Sequence, residues 1–173
     1  MSIDGVDFQV QEVGPFQKGF SEKWSSTKFG KRAALRYEIG ISIMKGELVW
    51  TNGPFPAGKW TDYKIFKLGG LVDHLEENER VEADDGYAAA DPEFARSRSG
   101  VWHSEEMRKL RNTIRARQES FNKKLREFGA LKNIWRHDIE KHHLVFDAAC
   151  LLIQIGIENG EGLFDIENID EYM

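Results

Sequence analysis

Leu35, Tyr37, Ile39, Ile41 and Ile43 alternate with Arg36, Glu38, Gly40 and Ser42. Period two of this kind marks a strand with one buried face. Lys45 and Gly46 signal a turn, and "ELVWT" follows, so the pattern predicts a hairpin. Ile3 to Val10 reads as a short opening strand, and "RVEAD" from Arg80 as a further strand that stops at the adjacent acids Asp84 and Asp85. Phe16 to Arg32, rich in Gly, Ser and Lys, reads as a loop or ragged extended connection, and "NGPFPAG" as a loop.

Helical spacing takes over elsewhere. Asp62 is a candidate N-cap for a helix carrying Ile65, Phe66, Leu68, Val72 and Leu75, with Gly69 and Gly70 as its breakers. The strongest helix runs from Ser104 to Phe128, where Met107, Leu110, Ile114, Phe121, Leu125 and Phe128 form one apolar stripe. A last helix, Asp138 to Glu158, carries Leu144, Val145, Ala148, Leu151, Leu152 and Ile155. A polar, acidic connection spans Ala88 to His103, and the acidic tail from Glu158 to Met173 reads as loosely held. Strand, hairpin, helix, strand, helix, helix is the order of an α/β layered fold with a mixed sheet.

Composition narrows the class. A chain of 173 residues fits a single domain whose core needs no metal or disulfide staple. The one cysteine, Cys150, excludes an intrachain disulfide and sits in the apolar run "FDAACLLIQI" as a buried small hydrophobe. No run approaches the roughly 18 apolar residues of a membrane span. The N-terminus has no secretory pattern, so the chain is expected to stay in the nucleus or cytoplasm. His137, His142 and His143 have no cysteine at zinc-ligand spacing and read as helix-surface residues.

The net charge of −5 argues against a general nucleic-acid binder. Its distribution argues otherwise. Residues 70–106 hold eleven acidic against three basic side chains, and residues 107–136 hold ten basic against two acidic. That asymmetry suits a local polyanion contact, or else a solvated, salt-bridged helix.

Three acids are candidates for chemistry. Glu119 shares a helix face with Arg108, Arg115 and Arg126, which makes it one acid in a basic stripe, or one half of an Arg115–Glu119 pair at i, i+4. Asp84 ends a strand, where ligands collect in α/β sheets; turn chemistry also favours Asp there. Two adjacent carboxylates repel, however, and a hard divalent cation with oxygen ligands relieves that. Asp4 and Asp7 lie on opposite faces of the opening strand, so one of them at most points at such a site.

Taken in order, "DGVDF", "LRYEIGISI" with "VWTNGPFPAG", "TDYKIF", "VEADDGY", "RARQESFNKKLREFGAL" and "LLIQIGIENGEGLF" span almost the whole chain. Together they resemble the Harbinger-type DDE endonuclease domains, which are ribonuclease-H-like transposase cores. The resemblance implies a ribonuclease-H-like mixed sheet flanked by helices. It implies that Asp4, Asp84 and Glu119 are the catalytic acids and hold Mg²⁺ or Mn²⁺, two ions clamping one phosphodiester. It leaves Asp7 as the rival of Asp4, puts Arg115 beside the phosphate, and gives Asp62 a structural role. Arg108, Arg111, Arg115 and Arg126 are then expected to hold DNA backbone without reading sequence. The implied activity is metal-dependent DNA cleavage and strand transfer; a domesticated, catalytically silent DNA-binding or scaffold module is the alternative. Such cores normally follow a segment that recognises DNA ends. Here the first acid is the fourth residue, so end recognition is expected to come from a longer chain or a separate DNA-binding partner protein, or to have been lost.

Overall fold

The computed structural model describes residues 1–11, 20–77, 79–87, 95–96, 104–163 and 166. The expected 88–103 connection lies outside them except at 95–96, as does most of the tail beyond 163. In chain order the elements are β1 (Ser2–Gln9), α1 (Phe20–Trp24), β2 (Ser25–Ser26), β3 (Arg32–Ile41), β4 (Leu48–Pro56) and α2 (Asp62–Leu68). There follow β5 (Val81–Glu82), β6 (Ala95–Arg96), α3 (Glu105–Glu127), α4 (Gly129–Lys132) and α5 (His142–Glu158). This is a mixed α/β fold with its sheet flanked by helices.

The sheet runs β2–β3–β1–β5–β6, with β4 also paired to β3. β1 is antiparallel to β3 from Ser2↔Ile41 to Gln9↔Ala34, and parallel to β5 at Ser2↔Glu82. One sheet face presents Val6, Phe8, Leu35, Tyr37, Ile39 and Ile41 to Phe121 and Leu125 of α3 and to Phe146, Ala149, Cys150 and Ile153 of α5. The other presents Ile3, Val81 and Ala83 to Phe66, Leu71 and Tyr87. Each fully buried Val, Leu, Ile or Phe among them contributes about 1.5–3 kcal/mol.

Several expectations are corrected. β4 continues through "NGPFP", where a loop was expected. Among the described residues it pairs only with β3, Pro54 is not in the ladder register, and the register shifts between Arg36 and Glu38 to absorb the irregularity. Part of the expected loop before β3 is the short helix α1 and strand β2. Thr61, not Asp62, caps α2, accepting from Lys64 N at 3.2 Å. α2 ends at Gly69, so Val72 and Leu75 lie beyond it. The described part of the tail is docked: Leu163 packs on the main core and Ile166 is buried against Ile114.

α3 matches its expected bounds, with Ser104 as N-cap. α5 does not bury the expected stripe. Its inward residues are His142, Phe146, Ala149, Cys150 and Ile153, while Leu144, Leu151, Leu152 and Ile155 face out. His142, expected at the surface, is fully buried among the rings of Phe8, Tyr37 and Trp135, 2.8 Å from the Tyr37 hydroxyl through Nδ1. Burial pushes its pKa down to about 4. Burial likewise lifts the Cys150 thiol to about 12, in keeping with its expected place as an inert core residue. Among the described residues no helix is long and apolar enough to cross a membrane.

Beneath the sheet lies a buried ion pair. Arg36 and Asp7 are direct cross-strand neighbours, joined at 2.6 Å (Nε–Oδ1) and 3.0 Å (Nη2–Oδ2). Ser26 Oγ donates to the same carboxylate at 2.5 Å, and Arg36 Nη1 lies 3.3 Å from Asp62. Removing one member leaves an uncompensated buried charge. Asp7→Ala is therefore expected to destabilise the fold by about 3–5 kcal/mol and Ser26→Ala by about 1 kcal/mol, read by urea denaturation. Equal effects from the two would contradict this account.

Candidate functional site

Parallel pairing at Ser2↔Glu82 brings Asp4 level with Asp84, since both lie two residues further along adjacent strands. Alternation turns both toward α3, whereas Ile3 and Ala83 turn to the opposite core. Asp7 has the opposite parity to Asp4 and is committed to Arg36 and Ser26. Of the two rivals, Asp4 is the one at the site.

Asp4, Asp84 and Glu119 line one cavity of about 60 Å³, together with Ser2, Ile3, Glu82, Ala83, Arg115 and Gln118. By the volume one water needs, that is room for a few waters but not for a nucleoside. Asp4 and Glu119 also border an adjoining open groove of about 620 Å³, whose other lining residues include Asn122, Lys123 and Arg126.

Asp4 is held rigidly. Gly5 N donates to Oδ1 at 2.8 Å and Asn122 Nδ2 to Oδ2 at 2.7 Å. Burial, partly offset by Lys28 and reinforced by Asp84 and Asp62, lifts its pKa to about 6. Asp84 Oδ1 accepts from Gly86 N at 2.8 Å, so Asp84 both forms the turn and lines the cavity. Tyr87 anchors that turn from below, its hydroxyl 3.4 Å from Glu38. Glu38 is fully buried, also accepts from Trp50 Nε1 at 3.0 Å, and titrates near 7 because of its burial. Asp62 packs where two glycines leave space. A Cβ on Gly5 would lie 1.9 Å from Asp62 Oδ1, and one on Gly86 would lie 3.3 Å from Oδ2.

Glu119 is exposed, and no ion pair joins it to Arg115 among the described residues. Arg115 is half-buried, with Nη1 buried and lacking a hydrogen-bond partner at the wall of the cavity. Arg108 and Arg126 are exposed on the same helix. Arg111 departs from expectation: it is 7% exposed, and its Nε meets Glu82 at 2.5 Å. It ties α3 to β5 and is no part of an exposed phosphate-gripping surface.

Sequence reasoning missed Asn122 and Lys28. Asn122 carried a signal, since Gln118 and Asn122 are polar, buried and spaced i, i+4 beside the apolar stripe. Gln118 accepts from Ser2 Oγ at 2.8 Å and so docks the helix on β1. Lys28, on the turn after β2, donates to Gly5 O at 2.6 Å beside Asp4; nothing in the local pattern distinguished it.

The donor set is all oxygen, crowded and partly desolvated, which fits a hard divalent cation. Among the described residues, however, no three His, Cys, Asp or Glu side chains are gathered closely enough to hold a metal as they stand. Glu119 is exposed at the rim of the cavity. No family model, curated protein or solved structure matches the chain.

The raised pKa values fix a pH dependence. A carboxyl that titrates higher when folded stabilises below its unfolded value, and that stability is lost as pH rises through the folded value. For Asp4 the window runs from 3.8 to about 6, and Glu38 extends it from 4.5 to about 7. Metal-free protein should lose stability from pH 4 to 7, and Asp4→Asn should flatten the lower part of that fall by about 2 kcal/mol. Melting temperatures across the range, with and without the substitution, check it; parallel curves would refute it.

Proposed function

We propose that the chain is a divalent-metal-dependent DNA endonuclease core of the DDE transposase type. The observation that carries this reading is the convergence of Asp4, Asp84 and Glu119, far apart in sequence, on one cavity. The central pairing of two acid-bearing strands fits the ribonuclease-H-like sheet that the sequence resemblance implies.

Asp4, Asp84 and Glu119 would hold Mg²⁺ or Mn²⁺, which supplies an activated attacking oxygen and charge for the leaving one. The protein's own contributions follow from its geometry. Gly5 and Asn122 orient the Asp4 carboxylate, and the Asp84–Gly86 turn fixes the second acid. Arg115, with an unpartnered guanidinium nitrogen, is suited to a phosphate oxygen. The cavity admits no base, so DNA lies across its mouth along the groove bearing Lys123 and Arg126, with Arg108 further along α3. The setting would be the nucleus or cytoplasm.

A second reading, a catalytically silent DNA-binding or scaffold module, is favoured by one observation: the acids of the described residues are not closed into a ready metal site.

Nicking of supercoiled DNA in Mn²⁺ separates the two. Asp4→Asn, Asp84→Asn and Glu119→Gln should each abolish cleavage with the fold intact by circular dichroism, and Asn122→Ala should reduce it about 10–100-fold. Mn²⁺ should raise the melting temperature of the unmutated chain but not of Asp84→Asn. Binding without any nicking would favour the silent module.

The basic residues have a separate test. Lys123→Ala and Arg126→Ala should weaken binding equally for all DNA sequences and lower the salt slope by about 1 each. A loss confined to particular sequences would mean that they read bases.

A further inference from the structure

The outward face of α5 carries Leu144, Leu151, Leu152 and Ile155, at 58%, 60%, 57% and 44% exposure, with the exposed Ala148 among them. These positions fall on one helical stripe, because 144, 148, 151 and 155 recur at three- and four-residue steps. The helix is apolar on both sides, and only one side is used by the core. The stripe is bounded by a cation and an anion: Lys141 lies immediately before α5 and Glu158 ends it, both exposed.

We propose that a second copy of this chain covers this face, α5 packing antiparallel on α5 about a two-fold axis between Ala149 and Cys150. One register matches the ends and the centre of the stripe, with Leu152 of one copy falling opposite Asp147 of the other at its rim. Leu144 of one copy meets Ile155 of the other, the small Ala148 receives Leu151, and Lys141 meets Glu158. Each pair lies equidistant from that axis along the sequence, so one shift matches the apolar contacts, the small-against-large contact and both end charges at once. Antiparallel packing also sets each helix N-terminus beside the partner's C-terminus, which the helix dipoles favour. Asp147 borders the face at the rim, in water. A helix of 17 residues is about 25 Å long and buries less than a standard interface, so the dimer is weak and concentration-dependent.

Sedimentation equilibrium on the full chain tests this without reference to catalysis. The unmutated protein should move with concentration from 19.9 kDa toward twice that mass. Leu151→Glu should remain monomeric with an unchanged circular dichroism spectrum, since Leu151 takes no part in the core. Lys141→Glu and Glu158→Lys should each weaken association about tenfold, and the double exchange should restore it. A chain that stays monomeric up to about 1 mM overturns the proposal, that concentration being the limit of weak specific binding. So does a dimer indifferent to Leu151→Glu, or a double exchange no better than its single parents, which would place the interface or its register elsewhere.

Discussion

The ion pair between Asp7 and Arg36 fixes what each side of the central sheet presents. The two residues sit directly opposite in the β1–β3 ladder, and both are withdrawn from water. Because side chains alternate, a slip of one residue would turn Asp4 away from α3 and bury it among apolar groups. It would also strand Arg36 and expose the row of Val6 and Phe8 to the wrong layer. A buried pair of this kind gives little net stability over a hydrophobic substitute, but breaking it is costly, so it selects the register. It reaches further than two strands: Ser26 fastens β2 to it and Asp62 fastens the start of α2.

From that register the acid cavity follows. β5 joins β1 in parallel at Ser2↔Glu82, which sets Asp84, just past the end of β5, beside Asp4 near the start of β1. α3 lies across both through polar contacts at its underside: Gln118 to Ser2, Asn122 to Asp4 and Arg111 to Glu82. Charge repulsion within the cluster is tolerated because the surroundings keep Asp4 largely protonated below about pH 6.

The sequence made the strands β1 and β3, the helix α3 and the parity of Asp4 against Asp7 legible, because each rests on a long periodic pattern. It was less informative where a tertiary partner overrides local preference. Gly53 and Pro54 advertise a loop, but an outer strand accommodates them. Asp62 resembles a cap, but Arg36 claims its carboxylate and Thr61 caps instead. α5 offers two apolar faces, and only the aromatic partners Phe8 and Tyr37 on the sheet decide which one turns inward. Arg111 belonged to the basic stripe by count; its inward turn depends on Glu82, whose orientation follows from the β5 register.

The cavity is assembled from three parts of the chain that a ribosome releases at well-separated times. Asp4 emerges first, on a strand whose neighbours are β3 and, much later, β5. Asp84 follows with β5, and Glu119 arrives only with α3. Contacts of such long sequence separation form late and slowly. A nascent chain therefore carries no complete acid cluster until α3 has left the exit tunnel. The cavity is therefore closed only once α3 has folded back onto β1 and β5.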